Sequence, residues 1–317
     1  MATKRIISAL RLRFIVLRLI LFCLILSRIK IATIEIIERA IPDKEPRFFI
    51  KESIEKTSDS DPIKPYLLRS SVLNENDYSN LYADKKEKVR CDASTQYLYH
   101  FDEVIPKIKQ LNSDSPKILI LLRNPIERAF SNYSHNYSTY ENLDFEEALQ
   151  QESERISKGF NSFWHYKGLS TYADSVKAYK EAFKEVKVIL FEDFIKDIDK
   201  SLVDIFNFLE VDSNFKVSHF MINKKSTGAP KSKKLNAILQ NSSKFSILKT
   251  VLYKVIGEQR TKLFRELVMR KNLSKSKISL DESLKSKLES YFVEDIAQLK
   301  EILPEQNIGW LNNGTNS

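Results

Sequence analysis

Residues 117–135 read KILILLRNPIERAFSNYSH, and this stretch decides the fold. Lys117 to Leu122 is a short, continuous apolar run after a Ser-Asp-Ser-Pro turn, the pattern of a strand buried on both faces of a parallel sheet. Arg123-Asn124-Pro125 breaks the run. Pro125 suits the first position of a helix, where its missing N–H costs nothing, and predicts a helix to about Ser138. Working outward, Val186 to Phe191 (VKVILF) repeats the strand pattern, and a further strand is expected over Lys88 to Cys91. Asp144 and Glu147 form a capping box for a helix to about Ser157. Tyr172, Val176, Tyr179 and Phe183 share one face of a helix over Thr171 to Phe183. Leu202 to Leu209 reads as helix, and a helix is expected after Asp92-Ala93-Ser94. A last long helix, capped by Ser279 and Glu282, carries Leu284, Leu288, Phe292 and Leu299 on one side and ends before Pro304. Strands alternating with helices predict an α/β fold with a central, mainly parallel sheet flanked by helices. Ligands of such sheets bind at the carboxyl ends of the strands.

Composition narrows the chemistry. A chain of 317 residues holds one large domain or two small ones. Two cysteines, Cys23 and Cys91, exclude a disulfide scaffold and a four-cysteine zinc site. The four histidines (His100, His135, His165 and His219) have no metal-ligand spacing, so no metal is expected. Only six glycines occur and the first is Gly159, so neither a Walker A loop nor a GxGxxG turn exists in residues 1–158. The net charge of +9 is uneven: residues 1–34 carry +7, 35–222 carry −7, 223–277 carry +13 and 278–317 carry −4. A basic block within a folded chain fits a phosphate-bearing cofactor or a polyanion, and equally a solvated lysine-rich surface. It lacks the interleaved aromatic pattern of a single-strand platform, so nucleic acid is not an expected partner.

The N-terminal stretch is unlike the rest. Residues 14–26 read FIVLRLILFCLIL, and the longest uninterrupted apolar run, Leu19 to Leu26, is shorter than the roughly 20 residues a spanning helix needs. Arg28 and Lys30 follow, without a small-residue cleavage site, which argues against a signal peptide. A short anchor or a basic interfacial helix over residues 10–37 fits this pattern. So do a buried strand and helix, and a segment read out of its native frame. The expected location is cytoplasmic, with any membrane contact made through residues 10–37.

Arg123 at a strand end and Ser131 on the helix that follows can converge on one phosphate, the guanidinium as a charged fork and the hydroxyl as a further donor. The bland alternative is an ordinary strand-to-helix turn with a solvated serine. The pattern R-x-P-x-x-R-x-x-S-x-Y, filled by Arg123, Pro125, Arg128, Ser131 and Tyr133, resembles the 3′-phosphate signature of sulfotransferases that use 3′-phosphoadenosine 5′-phosphosulfate (PAPS). From about residue 42 the chain resembles bacterial members related to heparan sulfate sulfotransferases. Lys44-Glu45-Pro46-Arg47-Phe48-Phe49 is similar to their KEP-x-FF segment, and Asp92-Ala93-Ser94-Thr95 to their acidic-Ala-Ser segment. Gly168 to Asp193 is similar to their second strand region, Asn223 to Lys233 to their closing cofactor loop, and Trp310 to a frequent terminal tryptophan.

The resemblance implies a P-loop-kinase-like three-layer fold for a single domain over 42–317, preceded by an atypical basic and apolar segment over 1–41. It implies transfer of a sulfuryl group from PAPS to a hydroxyl or amine, with a carbohydrate or other small acceptor. Arg123 and Ser131 would hold the 3′-phosphate, Lys224 and Lys225 would cover the nucleotide phosphates, and Asp92 would be the general base. His135, one helical turn beyond Ser131, would face the acceptor. For Asp92 the alternative is a helix cap; for His135, Lys224 and Lys225 it is a plain surface role. The Phe163-Trp164-His165-Tyr166 cluster reads as core. One departure stands out. The family's 5′-phosphosulfate loop, a strand followed by a GxxKxGT-like turn, belongs upstream of Lys44, where residues 1–41 have no glycine. The alternative function is therefore a non-catalytic relative that binds nucleotide or polyanion, and the chain as written is expected to transfer little.

Overall fold

The computed structural model describes residues 14–17, 45–83, 91–111, 116–137, 140–213, 268 and 280–311. Four strands, β1 (Phe14–Leu17), β2 (Cys91–Asp92), β3 (Lys117–Leu122) and β4 (Val186–Leu190), form one parallel sheet in the order β2-β1-β3-β4. The helices in chain order are α1 (Lys51–Glu55), α2 (Lys64–Ser70), α3 (Glu75–Asn80), α4 (Phe101–Leu111), α5 (Pro125–Tyr137) and α6 (Phe145–Gln150). They continue as α7 (Glu152–Ser157), α8 (Ala173–Ala182), α9 (Phe191–Lys196), α10 (Ile198–Leu209) and α11 (Glu282–Ile302).

The strand runs behave as their composition dictates. Ile118 to Leu122 are buried in β3, as a strand flanked by two parallel neighbours requires. β4 pairs from Ile118↔Val186 to Leu122↔Leu190, so both strands end level. Four residues of the N-terminal stretch, Phe14–Leu17, supply the strand between β2 and β3. The apolar, β-branched content of FIVL suits that central place. Of the strand expected over Lys88 to Cys91, Cys91 is in β2 with Asp92, and residues 88–90 lie outside the described ones.

The capping box forms as expected: Asp144 accepts from the Glu147 N–H at 2.9 Å, and Glu147 accepts from the Asp144 N–H at 3.2 Å. The segment it starts is two short helices, α6 and α7, meeting at Gln151, rather than one. The helix expected directly after Ser94 starts later, at Phe101. Local bonds win over helix there: the Ser94 N–H turns back to the Asp92 side chain, and tight turns follow at Tyr97 and Tyr99. In α11, Leu288, Phe292, Ile296 and Leu299 are buried, and the helix packs on α8 and α5. Asp281 takes the N-cap position, and Ser279 lies outside the described residues. Trp164, His165 and Tyr166 are core residues, as expected, and Phe163 is half-buried. Among the described residues no helix is long and apolar enough to cross a membrane, and most of residues 10–37 lie outside them.

Candidate functional site

The carboxyl ends of β1, β3 and β4 open on one edge of the sheet. Arg123 leaves β3 there, and its carbonyl accepts from the Tyr172 hydroxyl at 2.9 Å. Asn124 caps α5, its side-chain oxygen accepting from the Ile126 and Glu127 N–H groups at 3.0 and 3.3 Å. The Arg123 guanidinium lies 5.2 Å from the Phe191 ring centre and forms an ion pair with Glu127.

Along α5 the spacing of four repeats: Glu127, Ser131 and His135 are exposed on one stripe that begins at Arg123. The opposite side of the helix is fixed. Asn132 and Asn136 both donate to the Phe163 carbonyl, at 2.9 and 2.8 Å, and Tyr133 packs on Phe145 and Tyr166. Because that face cannot turn, Ser131 and His135 stay on the open side. His135 is reachable by solvent, yet crowding protein atoms lower its pKa, with the Glu45 carboxylate pulling it partly back. Arg128 donates to Ser170 at 3.4 Å.

Asp92 stands elsewhere than the rim. Through Ile15 of β1 it is level with Ile118, four residues before the end of β3, about 13 Å below Leu122 at 3.3 Å per residue. It is 1% exposed. Oδ2 accepts from the Tyr78 and Tyr97 hydroxyls at 3.0 and 2.8 Å, and Oδ1 from the Ser94 N–H and hydroxyl at 3.2 and 2.9 Å. Burial pushes its pKa up to about 6, against the pull of the bonds from Tyr97, Ser94 and Tyr78. The Asp92 carboxylate is thus occupied on both oxygens and sealed.

A second carboxylate, the buried Glu45, acts on the charge of His135. Glu45 Oε2 accepts from the Thr95 hydroxyl at 3.2 Å and pairs with the Arg47 guanidinium at 3.2 Å. Arg47 is 4% exposed, sits in the left-handed region at φ 52°, and donates from Nη1 to Ser70 at 3.2 Å. Its guanidinium lies 5.9 Å from each of the Tyr66 and Phe163 rings. The Arg47 N–H donates to the Ser94 hydroxyl at 2.9 Å, which in turn donates to Asp92. A relay of bonds therefore runs from the sealed Asp92 through Ser94 to the segment that carries Glu45. The spacing in the sequence does not expose Glu45 as a site residue. Its signal is a charged residue set just before the buried Phe48-Phe49-Ile50.

Arg123, Ser131 and His135 share one strand-to-helix unit; Asp92 lies deeper; Lys224 and Lys225 lie outside the described residues. Among the described residues, no group of three or more His, Cys, Asp or Glu side chains gathers as metal ligands do. The family model for the sulfotransferase domain matches residues 50–300. A sulfotransferase crystal structure from Alicyclobacillus acidocaldarius is 24% identical, with a TM-score of 0.67, covering 95% of this chain and 98% of that one. The mouse sulfotransferase SULT7A1 complexed with PAP is 18% identical, with a TM-score of 0.38 over 82% of this chain and 85% of that one. No curated protein matches the chain in sequence. The Alicyclobacillus likeness extends over nearly the whole chain and shows the α/β fold that the alternating strands and helices predict, in the P-loop-like form that the resemblance implies.

Proposed function

The chain belongs to the sulfotransferase domain family, whose reaction is sulfuryl transfer, and from that premise we propose that its donor is PAPS and its acceptor a carbohydrate hydroxyl or amine. The observation that carries the reading is the unit β3–Arg123–α5. A guanidinium leaves a parallel strand at its carboxyl end, and a serine hydroxyl stands on the open face of the next helix. That donor set fits a phosphate dianion: a charged fork plus a hydroxyl. Arg123 and Ser131 hold the 3′-phosphate. His135 faces the acceptor, and Lys224 and Lys225 cover the nucleotide from the basic segment.

For the acceptor proton the geometry favours Glu45 over Asp92. A general base needs a lone pair within hydrogen-bond reach of the proton it takes. Asp92 has four donors on its two oxygens, whereas among the described residues the bonds of Glu45, from Thr95 and Arg47, fall on Oε2. In this reading Asp92 positions Ser94 and, through it, the Glu45 segment.

The 5′-phosphosulfate half does not fit as well. β1 has the central place from which a phosphate loop would spring, and residues 18–41 that follow it contain no glycine. This observation favours the second reading, a relative that binds the nucleotide and transfers little. One experiment separates the two. Calorimetry compares 3′,5′-adenosine bisphosphate with 5′-AMP, and the same chain is assayed with labelled PAPS over a panel of sugars. Preference for the bisphosphate, lost in Arg123→Ala, is expected in both readings. A charged hydrogen bond of about 1.5–3 kcal/mol sets the size of that loss. Equal affinity for the two nucleotides would sink the phosphate site. Robust transfer by this chain would sink the second reading.

A further inference from the structure

Trp310 has no part in the site as described so far, yet it is bonded into the turn from which Arg123 springs. Its indole N–H donates to Glu192 Oε2 at 2.9 Å. The other oxygen of the same carboxylate accepts from the Asn124 N–H at 3.0 Å. The Asn124 side-chain amide closes the ring by donating to the Trp310 carbonyl at 2.9 Å. Tyr172, which holds the Arg123 carbonyl, meets the Trp310 ring edge-on at 6.0 Å between centres. Phe191, over which the Arg123 guanidinium lies, is the chain neighbour of Glu192. The backbone origin of Arg123 and the ring it leans on are thus tied together through Tyr172, the Phe191-Glu192 pair and Trp310.

We infer that Trp310 and Glu192 form a clamp that positions Arg123 for its phosphate, so that the chain's ability to recognise a 3′-phosphate depends on its C-terminal segment. This rests on the reading that Arg123 takes the 3′-phosphate. Neither Trp310 nor Glu192 needs to touch the ligand. An arginine side chain has many rotamers, and recognition of a phosphate by its fork depends on a fixed origin and a fixed stacking partner. An ångström of misplacement at such a group is felt strongly. A purely structural clamp differs in one respect: its loss lowers stability and affects all nucleotides alike.

The test measures the ratio of affinities for 3′,5′-adenosine bisphosphate and 5′-AMP by calorimetry on the 317-residue chain. Trp310→Phe keeps an aromatic ring and removes the N–H. Glu192→Gln weakens the clamp from the other side, so a folding failure of one variant leaves the other to decide. Each is expected to cut the ratio roughly five- to tenfold, as for members of one hydrogen-bonded network, with 5′-AMP affinity within about twofold of the parent. In an Arg123→Ala background the same substitutions are expected to cause no further loss of the ratio, because the group they position is gone. If Arg123→Ala abolishes the preference while both clamp variants keep it, the clamp is structural and the inference falls. It falls also if both nucleotides lose affinity equally, or if the losses add in the Arg123→Ala background. A parent chain with no preference at all overturns the phosphate-site reading itself, and the clamp with it.

Discussion

Replacing Asp92 by asparagine keeps the shape of a sealed side chain and removes its charge, which turns the burial of this group into a measurable quantity. In the folded chain the Asp92 carboxyl is pushed up to about 6, chiefly by burial, from about 3.9 in an unfolded chain. At about 1.36 kcal/mol per pKa unit, holding the ionised form inside costs the fold about 3 kcal/mol. The folded value is the higher one, so between about pH 4 and pH 6 the folded state binds more protons than the unfolded state. The contribution of Asp92 to stability therefore falls as pH rises through that window and stays low above it. The Asp92→Asn side chain has no such dependence. Its amide oxygen can still accept from Ser94, and the hydroxyls of Tyr78 and Tyr97 can turn to accept from its amide nitrogen, so the variant is expected to fold. Urea denaturation of both proteins at pH 4 and pH 7.5 gives the difference in stability at each pH, and the other titrating groups cancel in the comparison. The difference is expected to move in favour of Asp92→Asn by about 2 kcal/mol between the two, since at pH 4 roughly half of the unfolded carboxyl is already ionised. Parallel curves, with the difference unchanged, would mean that the carboxyl ionises as it does in water. Asp92 would then be open to an acceptor, and the case for Glu45 as the base would lose its support.

Two further outcomes follow from the same geometry. Glu127 competes with any phosphate for the Arg123 fork. Glu127→Gln is thus expected to raise affinity for 3′,5′-adenosine bisphosphate a few-fold in dilute buffer and hardly at all at about 1 M salt, where exposed charges are screened; an equal gain at both ionic strengths refutes this. Burial holds His100 and His165 down at about 4, against about 6.5 unfolded. These folded values are the lower ones, so the stability they contribute is present above about pH 6.5 and is lost as pH falls toward 4, about 3 kcal/mol for each taken alone. Asp92 acts in the opposite sense over part of that window. In His165→Asn the loss on acidification, followed by denaturant midpoints, should be visibly smaller than in the parent; an unchanged acid limb refutes the assignment.

What the sequence reveals and what it hides follow from the range of the interactions. β3 and β4 are legible because each is a continuous apolar run closed by a turn, and their observed ends fall within a residue of the expected ones. The capping box of α6 is legible because both bonds lie within four residues. The depth of Asp92 is not. It depends on the register Phe14↔Cys91 and Ile15↔Asp92, set by a strand some 77 residues away in a stretch that reads equally as anchor or strand. A family resemblance puts Asp92 in line, and only the pairing puts it below the rim. The clamp is hidden for the same reason: the Asn124–Trp310 bond joins residues 186 apart. The expected helix after Ser94 fails because propensity takes no account of the side-chain bonds of Asp92, which pull the backbone into turns before α4 can start.

The N-terminal stretch can now be divided more finely than composition allows. Phe14–Leu17 is a strand in register with both neighbours, four pairs on the β3 side alone. A random apolar segment has no reason to fit the centre of a parallel sheet. Directly after Leu17 comes the place where a loop cradling a phosphate needs backbone N–H groups unshielded by side chains. Here the sequence reads Arg-Leu-Ile-Leu-Phe-Cys, with Lys30 the single lysine between Lys4 and Lys44, flanked by two isoleucines that resist turn geometry. The family model matches the chain from residue 50. A strand in register, a glycine-free stretch after it and a family match farther on are what a shift of reading frame between about codon 18 and codon 41 produces. The DNA for residues 18–41, translated in its two other frames, is therefore expected to encode a glycine-rich, lysine-bearing turn followed by a helical pattern that rejoins the chain near Pro42. If neither frame encodes one, the loop is absent from the gene itself. The proposed half-site at Arg123 and Ser131 is then what the described residues offer a donor, and binding without transfer becomes the reading to hold.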